Sequence, residues 1–203
     1  QILLHCCCAP CSTASIERLL ADEYDIVLYF SNSNIFPKEE YEKRFSYLKS
    51  LGRIYNLQVI CDEYNHESWL EAVKGFENEP EKGKRCEICF RYNLTRAADK
   101  ADELGIKEFT TTLSVSPHKI SDMIFSVGMD FESFVPYNFK KKDGIRRSLE
   151  LSEKYKLYRQ DYCGCEFSLL RRRQEGERLA REVENAQQAD QDRRKLAEEI
   201  RKE

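Results

Sequence analysis

The sequence predicts an α/β fold in which helices cover a parallel sheet. Short apolar segments alternate with segments whose apolar residues recur every three or four positions, which is typical of strands alternating with amphipathic helices. Strands are predicted at residues 2–4, 25–30 and 58–61, with helices from about Ser12 and from Pro37 between them. The chain has 203 residues, 41% of them hydrophobic, so one sizeable core is expected.

The second half of the chain contains more helix than strand. Helices are predicted around Trp69 and Val73, over 94–104, after Ser116-Pro117 and within 140–153, and strands over 108–115 and 134–135. From Arg171 onward large apolar residues become sparse, and residues 166–203 hold ten basic and ten acidic side chains. We therefore predict one domain over 1–170 and a charged helical extension or tail over 171–203, too poor in apolar heptads to favour a coiled coil.

Charge and hydropathy exclude some classes of protein. The formal net charge is −3, which argues neither for nor against a nucleic-acid partner. No apolar run approaches the roughly 18–20 residues of a membrane span, and the first residues lack the pattern of a signal peptide. We expect a cytoplasmic protein without a membrane partner.

The nine cysteines are the unusual feature of the composition. Eight of them occur in three clusters: Cys6, Cys7, Cys8 and Cys11, then Cys86 and Cys89, then Cys163 and Cys165. In a chain without an export signal, such clusters more often bind metal or carry out redox chemistry than form structural disulfides. Cys61 stands alone at a strand end and is interpreted as a small buried hydrophobic residue.

The Cys86-Glu87-Ile88-Cys89 segment has the spacing of a pair of ligands. A tight turn would bring both sulfurs to one side, which fits zinc, an iron–sulfur cluster or a redox dithiol. Arg85 and Arg91 flank the pair and favour thiolate over thiol. Their charge makes two unrelated core cysteines the weaker interpretation.

The first cysteine cluster follows the first predicted strand. Ligands of parallel sheets gather beyond the carboxyl ends of the strands, and the start of the next helix stabilises thiolates there. Four cysteines within six residues cannot all bind one tetrahedral ion, so two or three are expected to be ligands. His5 is interpreted as a strand-end residue with a structural hydrogen bond rather than as a ligand.

The third cluster, Cys163-Gly164-Cys165, leaves several chemistries open. It could form a strained disulfide, bind a metal through one sulfur or act as a redox dithiol. The sequence contains no glycine-rich phosphate loop and no zinc-protease or hydrolase pattern. Sulfur and metal chemistry are therefore the expected basis of any activity.

Five segments, in order, carry a resemblance to a known family. They are His-Cys-Cys-Cys-Ala-Pro-Cys-Ser at 5–12, Ser-Asn-Ser-Asn-Ile-Phe-Pro-Lys-Glu-Glu-Tyr at 31–41, Gly-Lys-Arg-Cys-Glu-Ile-Cys-Phe-Arg at 83–91, Thr-Thr-Thr-Leu-Ser-Val-Ser-Pro-His-Lys at 110–119 and Tyr-Arg-Gln-Asp-Tyr-Cys-Gly-Cys-Glu-Phe-Ser at 158–168. Over roughly residues 2–170 the chain resembles the QueH-type epoxyqueuosine reductases. The resemblance implies a Rossmann-like fold similar to that of nucleotide-dependent tRNA-modifying enzymes.

The resemblance also implies an activity and a cofactor. The family reduces epoxyqueuosine to queuosine at the wobble position of tRNA, with a 4Fe–4S cluster and without cobalamin. On this chain Cys7, Cys8, Cys86 and Cys89 match the cluster ligands. Cys11 matches a position with a further metal or redox role, so an additional iron or other metal ion is a second expected cofactor, and Cys163 with Cys165 matches a catalytic dithiol. The electron donor is not identified.

A tRNA substrate requires a local basic surface on this acidic chain. Candidate phosphate contacts flank the cysteine motifs or lie where charge is densest, namely Lys84, Arg85, Arg91, Arg146 and Arg147. Two other functions remain open from the residues alone. One is a non-catalytic zinc-binding module that uses Cys86, Cys89 and two N-terminal cysteines, and the other is a thiol–disulfide oxidoreductase.

Overall fold

A four-stranded parallel sheet forms the centre of the molecule. The computed structural model describes residues 1–117 and 119–200, so His118 and the last three residues of the predicted tail lie outside the described part. The strands are β1 (Ile2–His5), β2 (Ile26–Phe30), β3 (Gln58–Cys61) and β4 (Phe109–Thr111). Their order is β3-β2-β1-β4, and every pairing is parallel.

Seven helices surround this sheet in the described residues, which confirms the α/β, Rossmann-like prediction. They are α1 (Ala9–Ala21), α2 (Lys38–Tyr55), α3 (His66–Ala72), α4 (Lys84–Glu103), α5 (Ser121–Gly128), α6 (Gly144–Lys154) and α7 (Glu166–Ile200). The helix α7 runs without a break through residue 171, and its side chains from 172 to 193 are exposed. The domain boundary at 170 stays a prediction. None of the described helices is both long and apolar enough to cross a membrane.

The central strands explain why the sheet has a core on both faces. Every residue of β1 and β2 is buried, because successive side chains of a strand point to opposite faces and helices cover both. Ile2 and Leu4 pack with residues of α1 and α2 on one face, whereas Leu3 packs with residues of α4 on the other. Since all four strands are parallel, the loops after β1, β2 and β4 meet at one edge.

Several local predictions are wrong in detail. The helix α1 begins at Ala9 rather than near Ser12, because Pro10 is tolerated in the first turn of a helix. The predicted strand over 108–115 is strand only to Thr111 and then becomes a 3₁₀ turn. Phe134 makes an isolated bridge to Phe109 rather than a strand.

Cys61 is exposed rather than buried. It lies on β3, the edge strand of the sheet, whose outer side chains are less covered than those of the central strands. Its thiol lies 3.2 Å from the Tyr41 hydroxyl. The prediction that Cys61 is buried was therefore wrong because a residue at a strand end is buried only if the strand itself is covered by neighbours.

Candidate metal centre

The first cysteine cluster has Cys6, Cys7 and Cys8 in the turn between β1 and α1, and Cys11 at the start of α1. The Cys7 amide donates to Thr112 Oγ1 at 3.0 Å, which ties the turn to the segment after β4. Cys6 is fully buried in the main core, and its thiol faces the Leu4 carbonyl at 3.2 Å. Successive side chains of an extended chain point to opposite faces, so Cys6 points away from Cys7. This explains why the four sulfurs of the first cluster do not share one site.

Cys7, Cys8 and Cys11 form a sulfur triplet. Their three Sγ atoms lie within 4.8 Å of one another, close enough to hold a metal ion. The Sγ atoms of Cys7 and Cys8 are 3.9 Å apart. Cys8 immediately precedes α1 and Cys11 lies in its first turn, so the local helical geometry brings their side chains together. The Thr112 hydroxyl donates to Cys7 Sγ at 3.3 Å.

The triplet favours one negative charge. Hydrogen bonds from Cys11 and Cys7 hold the pKa of Cys8 well below its ordinary value, and the nearby Arg44 guanidinium lowers it further. Hydrogen bonds to Cys7 and Cys8 and burial raise the pKa of Cys11, which keeps its proton. These shifts favour the thiolate form at Cys8 over Cys11, and a thiolate is the form of cysteine that binds metal.

Cys86 and Cys89 lie in the first two turns of α4 rather than in the tight turn that the sequence predicted. Positions three apart on a helix share a face, so the helix itself brings the two side chains to one side. Phe90 packs with Cys7 and Cys8, and Cys86 packs against the same apolar cluster. The Lys82 amide donates to Cys86 Sγ at 3.3 Å, and the Asn93 side chain donates to Cys89 Sγ at 3.7 Å.

The Cys163-Gly164-Cys165 loop precedes α7 and approaches from outside the sheet. The φ of Gly164 is +132°, a conformation that strains other residues, and a Cβ there would also crowd Arg44 Nη1 at 3.0 Å. The Phe36 amide donates to the Gly164 carbonyl at 2.8 Å, and Arg44 Nη1 donates to the Cys163 carbonyl at 3.2 Å. Both cysteines are free thiols here, so the disulfide that the sequence left open is not formed.

One cavity of about 400 Å³ brings the three motifs together. Its walls include Cys11 from the first cluster, Cys86 from the second, and Cys163 and Cys165 from the third. Cys7 and Cys8 are buried next to Cys11. Cysteines separated by up to 154 positions thus meet at the carboxyl edge of the sheet, where parallel α/β folds commonly bind ligands.

Two cations beside the sulfurs were missed by sequence reasoning. Lys119 lines the cavity; burial lowers its pKa, but Coulombic interactions with the neighbouring cysteines outweigh this and raise it. Arg44 on α2 is buried, and its Nε donates to Glu40 Oε1 at 2.6 Å. Lys119 ends one of the family-like segments, a signal that could have identified it, whereas Arg44 has no local signal.

The cations predicted to bind tRNA already have partners, and their assignment to tRNA stays a prediction. Arg85 is buried, and its Nη1 donates to the carbonyls of residues 76, 77 and 79. The other four each contact a carboxylate: Lys84 with Glu87, Arg91 with Asp130, Arg146 with Asp143 and Glu150, and Arg147 with Glu17 and Glu150. A phosphate would have to compete with these partners.

His5 has the structural role that the sequence predicted. Its Nε2 donates to the Ser31 carbonyl at 2.9 Å, and its Nδ1 lies 2.8 Å from Thr111 Oγ1. Burial lowers the pKa of His5 to about 4, so the ring is neutral. Because both ring nitrogens are hydrogen-bonded, His5 connects β1 to β2 and β4 and has no nitrogen available to bind a metal.

Comparison with known proteins identifies the family. The family model described as epoxyqueuosine reductase QueH matches residues 2–171. Relatives named epoxyqueuosine reductase QueH include proteins of Streptococcus pyogenes, 42% identical over 83% of this chain and 70% of the relative, and of Acinetobacter baylyi, 40% identical over 83% and 80%. The relative of the same name from Thermotoga maritima is 37% identical over 89% of this chain and 96% of the relative. The chain belongs to the epoxyqueuosine reductase QueH family.

Proposed function

We propose that this oxidoreductase converts epoxyqueuosine to queuosine at the wobble position of tRNA. Removing an epoxide oxygen breaks two C–O bonds, forms a C=C bond and releases water, which consumes two electrons and two protons. The observation that carries the proposal is the single cavity lined by cysteines of all three clusters. An unpaired base can enter such a cavity once it leaves the stack of the anticodon loop.

The proposed cofactor is a 4Fe–4S cluster bound by Cys7, Cys8, Cys86 and Cys89. The triplet lies within 4.8 Å, but no described set joins Cys86 or Cys89 to two of its members within that distance. Four sulfurs on one tetrahedral zinc would all have to be that close. Cys86 and Cys89 are thus not part of a compact sulfur set in the described residues, so the two pairs suit a multi-iron group better than a structural zinc ion.

The charges around the sulfurs fit an anionic cofactor. Arg44 is 2% exposed, and its Nη2 has no hydrogen-bond partner among the described residues. A buried donor without a partner costs free energy, and an anionic group beside Cys8 would supply one. Lys119 adds a second cation on the cavity side. When bound, the cluster would supply electrons one at a time.

The protein side chains would supply charge and protons. The Lys119 ammonium lines the cavity beside the cysteines and can stabilise negative charge that develops on the epoxide oxygen. We propose that Cys11, Cys163 and Cys165 do not ligate the cluster but hold a further metal ion or cycle between dithiol and disulfide. The proposal includes no cobalamin, in line with the family resemblance.

A spectrum and an assay test this proposal together. Protein purified without oxygen is expected to show broad iron–sulfur absorbance that reductant bleaches, with about four iron and four sulfide per chain. With dithionite as the electron source, it should convert epoxyqueuosine in tRNA to queuosine, and added cobalamin should not raise the rate. Colourless zinc-loaded protein would favour the zinc module, and metal-free activity on small disulfides would favour the oxidoreductase alternative.

A further inference from the structure

The wall of the cysteine cavity carries an excess of positive charge. Among the described residues it includes six cations and three carboxylates, although the whole chain has a net charge of −3. The cations are Lys82, Arg85, Lys119, Arg159, Arg171 and Arg172, and the carboxylates are Glu81, Asp161 and Glu175. The local field at this cavity is thus opposite in sign to the average charge of the protein.

Among the described residues, Arg172 is the only one of these six cations that forms an ion pair with a carboxylate. Lys82, Arg159 and Arg171 form no ion pair with any described residue, and Nη1 of Arg159 donates only to the Ser152 hydroxyl at 3.1 Å. Lys82 and Arg159 are exposed, and Arg171 is partly exposed. Arg172, by comparison, lies 3.3 Å from Asp161. We call Lys82, Arg159 and Arg171 the cavity rim.

The rim differs from the cations on α6. Arg146 and Arg147 meet three carboxylates, Glu17, Asp143 and Glu150. A phosphate that approached α6 would have to displace these carboxylates, whereas a phosphate at the rim would meet cations whose charge is uncompensated. Favourable binding of RNA depends on such free cations, because each neutralised phosphate releases a counterion.

We propose that the cavity rim binds the phosphate backbone of a single-stranded RNA loop while one unstacked base of that loop occupies the cavity. This inference rests on the proposed function and names the surface that its substrate uses. The cavity volume of about 400 Å³ lies within the range of pockets that enclose a small ligand. Apolar side chains of Pro10, Phe90 and Met123 also line it and suit the face of a base. The rim residues come from three segments of the chain: the loop before α4, the loop before α7, and α7 itself.

Charge reversal at the rim tests this surface. In the variant Arg159→Glu/Arg171→Glu, affinity for a tRNA anticodon stem-loop, measured by fluorescence anisotropy across a salt series, is expected to fall at least tenfold at low salt. The slope of log affinity against log salt should flatten by roughly 1.4–1.8, since each lost phosphate contact removes about 0.7–0.9. Iron content and thermal unfolding should match those of the unmodified protein.

A matched control carries the same charge change at the opposite edge of the sheet. Arg53 ends α2 before β3, and Lys107 precedes β4, so both lie near the amino ends of the strands. Both are exposed and have no ion pair with described residues. Arg53→Glu/Lys107→Glu should leave stem-loop affinity within about twofold and flatten the slope far less. If both variants weaken stem-loop binding equally, the effect of charge is diffuse and the rim is not the RNA-binding surface.

A third variant decides between the rim and α6. If Arg146→Glu/Arg147→Glu weakens binding while the rim variant does not, the RNA surface is on α6 and the inference is wrong. The binding readout does not depend on turnover. Wild-type protein that binds the stem-loop through the rim but fails to reduce epoxyqueuosine would retain the rim and reject the proposed function. If the wild-type protein reduces epoxyqueuosine in tRNA efficiently but the rim variant binds the stem-loop normally, the proposed function stands and the rim is rejected.

Discussion

Cys7 and Cys8 are buried beside the end of the sheet, whereas Cys163 and Cys165 are carried by a loop outside it. Cys7 and Cys8 are buried, and the amide and thiol of Cys7 are both hydrogen-bonded to Thr112. Cys163 is exposed, and its loop is attached by hydrogen bonds to its carbonyls. The first group has its sulfurs fixed by the fold, and the second leaves its sulfurs free to change partners.

This difference suits two kinds of sulfur chemistry. A cluster requires ligands whose positions change little with its redox state, and buried groups on rigid elements provide that. A dithiol that forms and breaks a disulfide requires sulfurs that can be reached and that can move. Burial raises the pKa of Cys165 to about 11, so its resting form is a thiol.

The largest expected effect is loss of the cofactor. Cys86→Ser removes one of four proposed thiolate ligands, so the protein should lose most cluster iron and all reductase activity. Absorbance, iron analysis and the tRNA assay measure this. A normal cluster in Cys86→Ser would remove Cys86 from the ligand set, and the buried Cys7 and Cys8 would then need another partner to hold the cluster.

The next effect separates turnover from cofactor binding. Cys163→Ser should keep the cluster absorbance and iron content while lowering the rate of tRNA reduction about 100-fold or more, the size of effect typical of a lost catalytic group. The matched control is Cys61→Ser, another exposed cysteine, which should leave the rate unchanged. Selective loss of the cluster in Cys163→Ser would instead place Cys163 among the ligands.

A smaller effect concerns the link between the two sulfur groups. Arg44 donates to Glu40 and to the Cys163 carbonyl, and its charge lowers the pKa of Cys8. Arg44→Leu leaves the largely buried Glu40 carboxylate without its cation, which should lower the free energy of unfolding by about 3 kcal/mol. Urea unfolding of metal-free protein measures this loss, and Arg44→Lys should lose less. If Arg44→Leu is as stable as the unmodified protein, the Cys163-Gly164-Cys165 loop is held in place without this arginine.

The smallest effect is expected at Cys6. Its thiol is in the main core, so Cys6→Val should change the free energy of unfolding by less than about 1.5 kcal/mol and leave iron content and activity intact. Chemical denaturation, iron analysis and the tRNA assay check this. A loss of iron in this variant, with stability unchanged, would show that Cys6 belongs to the sulfur site.

Much of the fold and the cysteine inventory could be read from the sequence. Strand β3 was predicted at its observed bounds, and β1 and β2 within one residue at one end, because short apolar runs bounded by polar turns are local properties. The clustering of cysteines after a strand and before helices is likewise a local pattern. Parallel strands then imply that loops after β1 and β4 share an edge.

The roles of individual side chains required the tertiary structure. Arg85 looked like a phosphate contact from its place beside Cys86, yet its guanidinium lies among three carbonyls of the preceding loop. Arg44 looked like an ordinary helix residue, yet it meets the Cys163 carbonyl 119 positions away. Sequence determines which residue types occur at which spacing, but burial and pairing depend on segments that only folding brings together. Electrostatic partners are therefore a property of the fold, because Coulomb interactions depend on separation in space and on exclusion of water.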